Sequence, residues 1–388
     1  MRVLLLSNLY PTASSPYAGV FVTQRIRALE ARGHEVWPVG VRTVSRGALA
    51  TVARRRGRSP KTAAPASPYG DYLLPVDLRR RLRRRLDASR VPATRALVDL
   101  VVRERIDLVH GHGMYLFPAG SIARDVARAS GVPYVVTVHG QDVNTFMRGR
   151  VAAYREVLDG AGAVLCVSED LASRVRGVMT VGAHAHVVPN GYDPDTFFVG
   201  VEEPPHGSNV LFVGNLEKVK GADRLPALLS RLRDLRPDVG LDVVGVGSLG
   251  PRLRTQLPDA RFHGQVSPAE VASHMRRADV LVVPSRSEGW GTVITEAHAC
   301  GLPAVGFDVG GVPEAIQLPQ HVVPARAGVP GLARTVVRVL GEGGSRRELS
   351  LTARGRTWDD VAGEEERVYR AAVGVPATST SDPDGQGP

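Results

Sequence analysis

"DVLVVPSRSEGWGTVITEAHACGLPAVGFD", residues 279–308, runs from an apolar stretch through a glycine-rich loop and a helical pattern into a second apolar stretch. "DVLVVPS" reads as a buried strand, "GTVITEAHAC" as the helix after it and "LPAVGFD" as the next strand. Strand and helix in strict turn imply a parallel sheet covered on both faces. At the turn, Gly289 and Gly291 leave backbone N–H groups bare at a helix start, where an anion or a sugar hydroxyl can bind. Glu288 lies on that loop and Glu296, eight positions on, falls on the helix's second turn, so both can line one pocket. A glycine loop capped by a structural acid accounts for any one of these residues, but not for the whole pattern.

The alternation extends in both directions. "RVLLLSN", "EVWPVGV", "DLVHGH", "YVVTVHG", "AVLCVS" and "AHVVPNG" read as strands, with helical patterns such as "FVTQRIRALEARG" and "TRALVDLVVRERI" between them. The series pauses at "NGYDPDTFFVGVEEPPHGSN", rich in Pro, Gly and acid, then restarts with "VLFVGN", "LDVVGVG" and "ARFHGQV". The expected architecture is α/β, with two doubly wound domains at 1–190 and 208–355 joined by a linker at 191–207. Residues 373–388 lack apolar content and read as a disordered tail. A chain of 388 residues exceeds one typical core, which agrees with two domains. Ligands of open parallel sheets sit beyond the carboxyl ends of the strands, and Asn8, His139, Ser168, Asn190, Gly214, Gly245 and Ser285 stand at those ends. An interdomain cleft is the natural place for a substrate pair.

Composition narrows the class. Cys166 and Cys300 lie far apart without metal-ligand spacing, as in a reduced cytoplasmic protein. The apolar run after Met1 is too short for the core of a signal peptide, and no window of about 18 apolar residues marks a membrane span. The net charge of +10 is uneven: residues 54–58 read "RRRGR" and residues 79–85, from Arg79 to Arg85, read "RRRLRRR". Leu78, Leu82 and Leu86 recur every four residues there, as in a narrow amphipathic helix ringed by arginines. A solvated basic face and peripheral contact with anionic lipid at the inner face of the membrane both fit. Nucleic acid fits poorly, since few aromatics and no nucleic-acid motif accompany the arginines.

The opening segment resembles the Glu-x7-Glu motif of retaining glycosyltransferases in family 4, which has the GT-B fold of two facing Rossmann-like domains. Other stretches are similar in order and spacing: "SNLYPTASSPYAGVFVTQRIRALEARGHEV", "VTVHGQD", "VVPNGYDPDTF", "LFVGNLEKVKGADRL" and "LDVVGVGSLGPRL". "WDDVAGEEERVYR" resembles the family's C-terminal helix, here within 356–372, which crosses back to the first domain. The resemblance covers residues 1–372.

What it implies is physically coherent. A nucleotide-sugar donor gathers negative charge on its diphosphate as the glycosidic bond breaks, and fixed cations and N–H donors there lower the barrier. Lys220 matches the diphosphate lysine, and Gly19 would let the backbone approach the phosphates or the donor sugar. Glu296 would accept hydrogen bonds from the ribose diol. Glu288 would face the donor sugar, whose hydroxyls the N–H groups of Gly289, Trp290, Gly291 and Thr292 would hold. Trp290 replaces the commoner phenylalanine as an apolar wall. His139 matches the histidine beside the anomeric centre, or else satisfies its own loop. Backbone groups near Gly245, Val246 and Gly264 would read the base, and Asp142 would orient the acceptor or the loop. The implied catalytic set is His139, Lys220 and Glu288. Where the family carries an arginine five residues before the lysine, this chain has Asn215, whose amide cannot supply a charge. Leaving-group stabilisation then falls to Lys220, to backbone N–H groups or to a relocated arginine such as Arg224.

Two other patterns point elsewhere. Asp193-Pro194-Asp195 has the Asp-x-Asp form of metal-dependent transferases, yet it lies in a linker-like turn. His110 with His112, and His184 with His186, are i, i+2 pairs without a convincing further ligand. No metal or cofactor beyond the donor substrate is expected. The expected reaction moves a hexosyl or N-acetylhexosaminyl unit from a nucleoside diphosphate sugar to a hydroxyl of a glycan, lipid-linked or small-molecule acceptor. Resemblance at "SNLYPT" and "GVFV" favours bacterial cell-envelope polysaccharide or glycolipid synthesis. A secondary metabolite such as an aminocyclitol antibiotic is the rival acceptor, and a non-catalytic nucleotide-sugar-binding protein is a third reading that Asn215 alone supports. A dehydrogenase is disfavoured, because "SNLYPTASS" lacks a Gly-x-Gly-x-x-Gly fingerprint.

Overall fold

The computed structural model describes residues 1–10, 19–45, 71–76, 92–115, 119–180, 184–200 and 207–374. The arginine clusters at 54–58 and 79–85, and residues 375–388 of the expected tail, lie outside the described residues.

Strands β1 (Arg2–Ser7), β2 (Glu35–Ser45), β3 (Asp71–Val76), β4 (Leu108–His112), β5 (Tyr134–Val138), β6 (Ala163–Cys166) and β7 (Ala185–Val187) form a seven-stranded sheet. Its order is β3-β2-β1-β4-β5-β6-β7. A second sheet of six strands comprises β8 (Asn209–Val213), β9 (Gly240–Val244), β10 (Arg261–Gly264), β11 (Val280–Val283), β12 (Ala304–Phe307) and β13 (Val322–Val323), in the order β10-β9-β8-β11-β12-β13. Every pairing is parallel. This is the expected GT-B architecture of two Rossmann-like sheets.

β1 shows why the sequence folds this way. Val3, Leu4, Leu5 and Leu6 are all fully buried. Alternate side chains leave a strand on opposite faces. Leu4 and Leu6 accordingly join Ile122 and Val126 on one face, while Val3 and Leu5 join Ile26, Trp358 and Tyr369 on the other. Such a strand needs helices above and below, and the crossovers supply them. Two strands escape the sequence reading. β3 carries Pro75, tolerable because β3 is an edge strand, and β13 is only two residues long.

The final helix, Trp358–Val373, starts at a capping box between Thr357 and Asp360 and returns to the first sheet. Its buried stripe includes a charge: Glu365 accepts a 2.7 Å hydrogen bond from Arg25, itself on the apolar stripe of helix Val20–Ala31, and both side chains are fully buried. Removing one partner of such a pair costs about 3–5 kcal/mol, since it strands the other. The linker and the returning chain cross as a pair, with the Tyr192 N–H on the Arg356 carbonyl at 3.0 Å and the Trp358 N–H on the Tyr192 carbonyl at 3.1 Å. Among the described residues no helix is long and apolar enough to cross a membrane.

Candidate active site

In each sheet the strand order reverses once, between β1 and β4 in the first and between β8 and β11 in the second. Loops leaving the carboxyl ends of strands at such a reversal diverge and open a crevice. The loop after β8 carries Lys220 and the loop after β11 carries Glu288. The reversal brings them together: Lys220 Nζ lies 2.7 Å from Glu288 Oε1 and 2.8 Å from Oε2. Ser285 Oγ donates to Glu288 Oε2 at 3.2 Å, so the carboxylate is held from two sides. The lysine side chain keeps 34% of its exposure, which leaves the ammonium open to a ligand in the cleft.

The loop containing Glu288 ends at helix Thr292–Ala299, whose N-cap is Gly291 in a left-handed conformation with no side-chain cap and no acid in the first turn. Its first N–H groups have no competing carboxylate, as an anion or polyol site requires. Glu296 projects from this helix, and burial alone pushes its carboxyl up to about 7. Trp290 differs from its expected place: the ring is buried behind the loop, donates to Thr295 Oγ1 at 3.1 Å and lies 4.7 Å under the Arg356 guanidinium. Gly245 and Gly264 end β9 and β10 beside each other, joined by a 2.7 Å backbone hydrogen bond, with Val246 exposed next to them.

The first domain meets this loop through the turn after β5. A Cβ on Gly289 would lie 1.9 Å from the His139 carbonyl oxygen, so the two loops touch backbone to backbone. Asn144 Nδ2 donates to Ser287 Oγ at 3.0 Å across the same seam. Asn190 Nδ2 donates to Thr292 Oγ1 at 3.2 Å and Asn190 Oδ1 accepts from Arg25, tying helix Thr292–Ala299 to the buried ion pair. Further out, Glu314 accepts the N–H groups of Glu169 and Asp170 at 2.7 and 3.0 Å, capping a first-domain helix from the second domain. Gly19, the left-handed N-cap of helix Val20–Ala31, backs onto the Leu9 carbonyl, with 1.5 Å left for a Cβ.

His139 is half-buried, its ring 4.9 Å from Phe21, and burial beside the Arg25 charge holds it neutral with a pKa near 3. Asp142, expected to orient acceptor or loop, serves the loop. Its fully buried carboxylate accepts the N–H groups of His139, Gly140, Val143 and Met114 at 2.8–3.2 Å. Burial raises its pKa, and the four N–H groups oppose that rise. An asparagine there would turn an N–H donor onto backbone donors. Asp142→Asn is therefore expected to lower stability by about 1–3 kcal/mol, read as a lower thermal midpoint.

Three other expectations find their places. Asn215 is exposed on the loop after β8. Arg224 donates to the Pro284 carbonyl at 2.7 Å and packs 4.8 Å from the Phe307 ring centroid, so its guanidinium is already engaged at the start of the Glu288 loop. Asp193 caps its own turn, accepting from the Asp195 N–H and the Thr196 hydroxyl at 3.1 and 2.7 Å. The fold does bring a third candidate ligand to His110 and His112, namely Glu365, with candidate ligand atoms within 4.8 Å of one another. Both nitrogens of His110 are hydrogen-bonded, to Tyr369 and Thr137, and the Arg25 guanidinium already occupies the cation's place on Glu365. The set does not suit a metal ion. Arg25 and His112 are the neighbours that motif reading missed. Their signal was an arginine on an apolar helical stripe and a histidine at i, i+2 on a strand.

Comparison with known proteins bears on the family and the fold. Residues 18–196 match the sequence profile described as Glycosyltransferase Family 4, and residues 207–342 match that of Glycosyl transferases group 1. The putative teichuronic acid biosynthesis glycosyltransferase TuaC of Bacillus subtilis (strain 168) is 28% identical over 360 residues, covering 87% of this chain and 89% of TuaC. The phosphatidyl-myo-inositol mannosyltransferase of Mycobacterium tuberculosis (strain CDC 1551 / Oshkosh) is 30% identical over 360 residues, covering 84% and 92%. Sucrose-phosphate synthase from Thermosynechococcus elongatus shares the fold with a TM-score of 0.72 at 21% identity, over 95% of this chain and 98% of that one. The Anabaena protein HepE, solved in complex with UDP, superposes with a TM-score of 0.69 at 14% identity, over 95% and 99%. With its two facing sheets, its paired acids and its lysine at the strand reversal, the chain belongs to glycosyltransferase family 4.

Proposed function

We propose that this glycosyltransferase transfers a hexosyl or N-acetylhexosaminyl unit, with retention, from a nucleoside diphosphate sugar to an acceptor hydroxyl in bacterial envelope polysaccharide or glycolipid synthesis. The observation that carries the donor reading is the Lys220–Glu288 pair beside an uncapped helix start. A diphosphate entering the cleft would draw the ammonium, the bare N–H groups would take sugar hydroxyls or phosphate oxygens, and Glu288 would be released to accept from the sugar. TuaC and the mannosyltransferase match over most of both chains, which supports an envelope acceptor. D-inositol 3-phosphate glycosyltransferases, such as that of Arthrobacter sp. (strain FB24) at 31% identity over 242 residues, favour a small cyclitol acceptor as the second reading.

The test is a thermal-shift screen of the purified protein against UDP-, GDP-, dTDP- and ADP-sugars. A ligand bound only by the folded state at a hundred times its Kd adds about 2.7 kcal/mol. One nucleotide series raising the midpoint supports the donor reading and names the base; none doing so at millimolar concentration counts against it. Donor hydrolysis without acceptor then separates an enzyme from a non-catalytic binder.

Glu296 gives this binding a pH dependence. Its carboxyl titrates near 7 in the free protein, and only the ionised form accepts hydrogen bonds at both oxygens from a ribose diol. Nucleotide-sugar affinity is expected to fall as the pH drops from 8 to 6, a range in which the donor's diphosphate does not titrate, and Glu296→Gln should flatten that profile. Stability runs the other way. The fold raises this acid's pKa above 4.5, so its buried charge weakens the fold above pH 7, and the penalty disappears as the pH falls through that interval. Glu296→Gln should raise the melting temperature at pH 8 and change it little at pH 5.

A further inference from the structure

His112 takes no part in the reading so far, yet it is fully buried directly behind His139. β4 and β5 are neighbours, with His112 opposite Thr137, so the residue two beyond Thr137 turns its ring onto His112. His112 Nδ1 lies 3.1 Å from His139 Nε2, and the rings stack at 5.3 Å with 23° between their planes. Behind His112 the column continues to His110, 4.1 Å away, and His110 is fixed by Tyr369 of the returning helix at 2.6 Å and by Thr137 at 2.7 Å. Phe21 closes the other side of the His139 ring.

We propose that His112 is a positioning residue that holds His139 in one tautomer and one ring orientation for the transfer. A neutral imidazole carries a single N–H. One hydrogen bond between two neutral rings therefore couples their tautomers: if His112 Nδ1 donates, the His139 proton is on Nδ1, and if His139 Nε2 donates, it is on Nε2. In either case the state of His139 Nδ1, a buried atom with no hydrogen-bond partner among the described residues, is tied to that of His112. The ring then keeps one protonation pattern and one orientation beside the cleft, with no proton exchange needed. Among the described residues His112 Nε2 has no hydrogen-bond partner either, so the contact with His139 is the one side-chain hydrogen bond of this ring there. The proposal rests on the reading of His139 as the histidine beside the reacting sugar.

The test has two readouts. In long-range proton–nitrogen spectra of the 15N-histidine-labelled full chain, His139 should show one tautomer, and His112→Leu should turn it into a mixture. His112→Asn, whose side-chain amide stands near the Nδ1 position, should restore one form. In UDP-glucose hydrolysis, His112→Leu should lower kcat on the order of 10-fold with KM nearly unchanged, since the loss is of alignment and not of donor contacts. His112→Asn should recover most of that loss, and His112→Leu should add little to His139→Ala. A mixed tautomer already present in the wild type, an unchanged spectrum in His112→Leu, or full additivity with His139→Ala overturns the positioning role. If His139→Ala itself hydrolyses UDP-glucose like the wild type, the reading of the site fails instead, and the spectra still decide whether His112 sets the tautomer. Should His112→Leu fail to fold, His112→Asn and His112→Gln carry the comparison, because Gln moves the amide away from the Nδ1 position and should not rescue.

Discussion

Lys220→Ala is expected to lower turnover of the donor by about 100- to 1,000-fold, the range seen when one fixed stabiliser of developing charge is removed from an enzyme. Lys220 is the cation that the strand reversal brings onto Glu288, whereas Arg224 donates to the Pro284 carbonyl, Asn215 is uncharged, and Arg286 is forked onto Asp223 at 2.6 and 2.8 Å. With no arginine at position 215, the loss should exceed what a site with two cations would suffer. The expectation is checked by kcat for donor hydrolysis, together with the affinity for the nucleoside diphosphate. Both should fall, kcat more than affinity, because charge on the leaving phosphate is greatest in the transition state. Truncating the lysine also strands Glu288, so Lys220→Ala combined with Glu288→Gln should regain stability without regaining turnover. A Lys220→Ala protein with near-wild-type kcat would move leaving-group stabilisation onto the helix start and its N–H groups. In the reverse sense, Asn215→Arg should raise kcat if Lys220 binds the diphosphate, since it adds charge on the same exposed loop.

How much of this was legible depends on the distance over which each interaction is specified. β1 could be read from Val3 to Leu6, because a run buried on both faces is apolar at every position. Glu288, Gly289, Gly291 and Glu296 could be read because one strand–loop–helix unit carries them all. The role of Asp142 could not: one of its four donors, Met114, is 28 residues away on another strand's loop, and a backbone N–H leaves no trace in sequence. The His112–His139 contact needs β4 beside β5, and Arg25 with Glu365 needs a helix that returns across 340 residues. Both were open to a narrower inference, since charged or imidazole side chains on buried stripes must find partners somewhere. β3 was hidden by Pro75 and by the arginine-rich sequence around it, where apolar alternation is lost.

Gly289→Ala tests the cleft as a whole and should be nearly as damaging as loss of the lysine. The new methyl would lie 1.9 Å from the His139 carbonyl oxygen, 2.8 Å from its carbon and 3.3 Å from Gly140 Cα, all backbone atoms that no rotamer change can move. Relief must come from separating the two loops by an ångström or more. His139 is pinned from behind by Asp142 and His112, and Glu288 by Lys220 and Ser285, so neither loop yields alone. The separation therefore falls on the domain interface, stretching the Asn144–Ser287 and Asn190–Thr292 hydrogen bonds. A misplacement of that size between reacting groups costs on the order of 100-fold in rate. Each sheet keeps one core face of its own, although a third cluster is shared across the seam, so the melting temperature should fall less than kcat, and nucleoside diphosphate affinity should hold because Lys220 and Glu296 stay on the second domain. Ser287→Ala, which removes one seam hydrogen bond without adding volume, should cost far less. If Gly289→Ala kept wild-type turnover, the contact between the two loops would belong to the ligand-free state alone, and catalysis would proceed with the domains further apart.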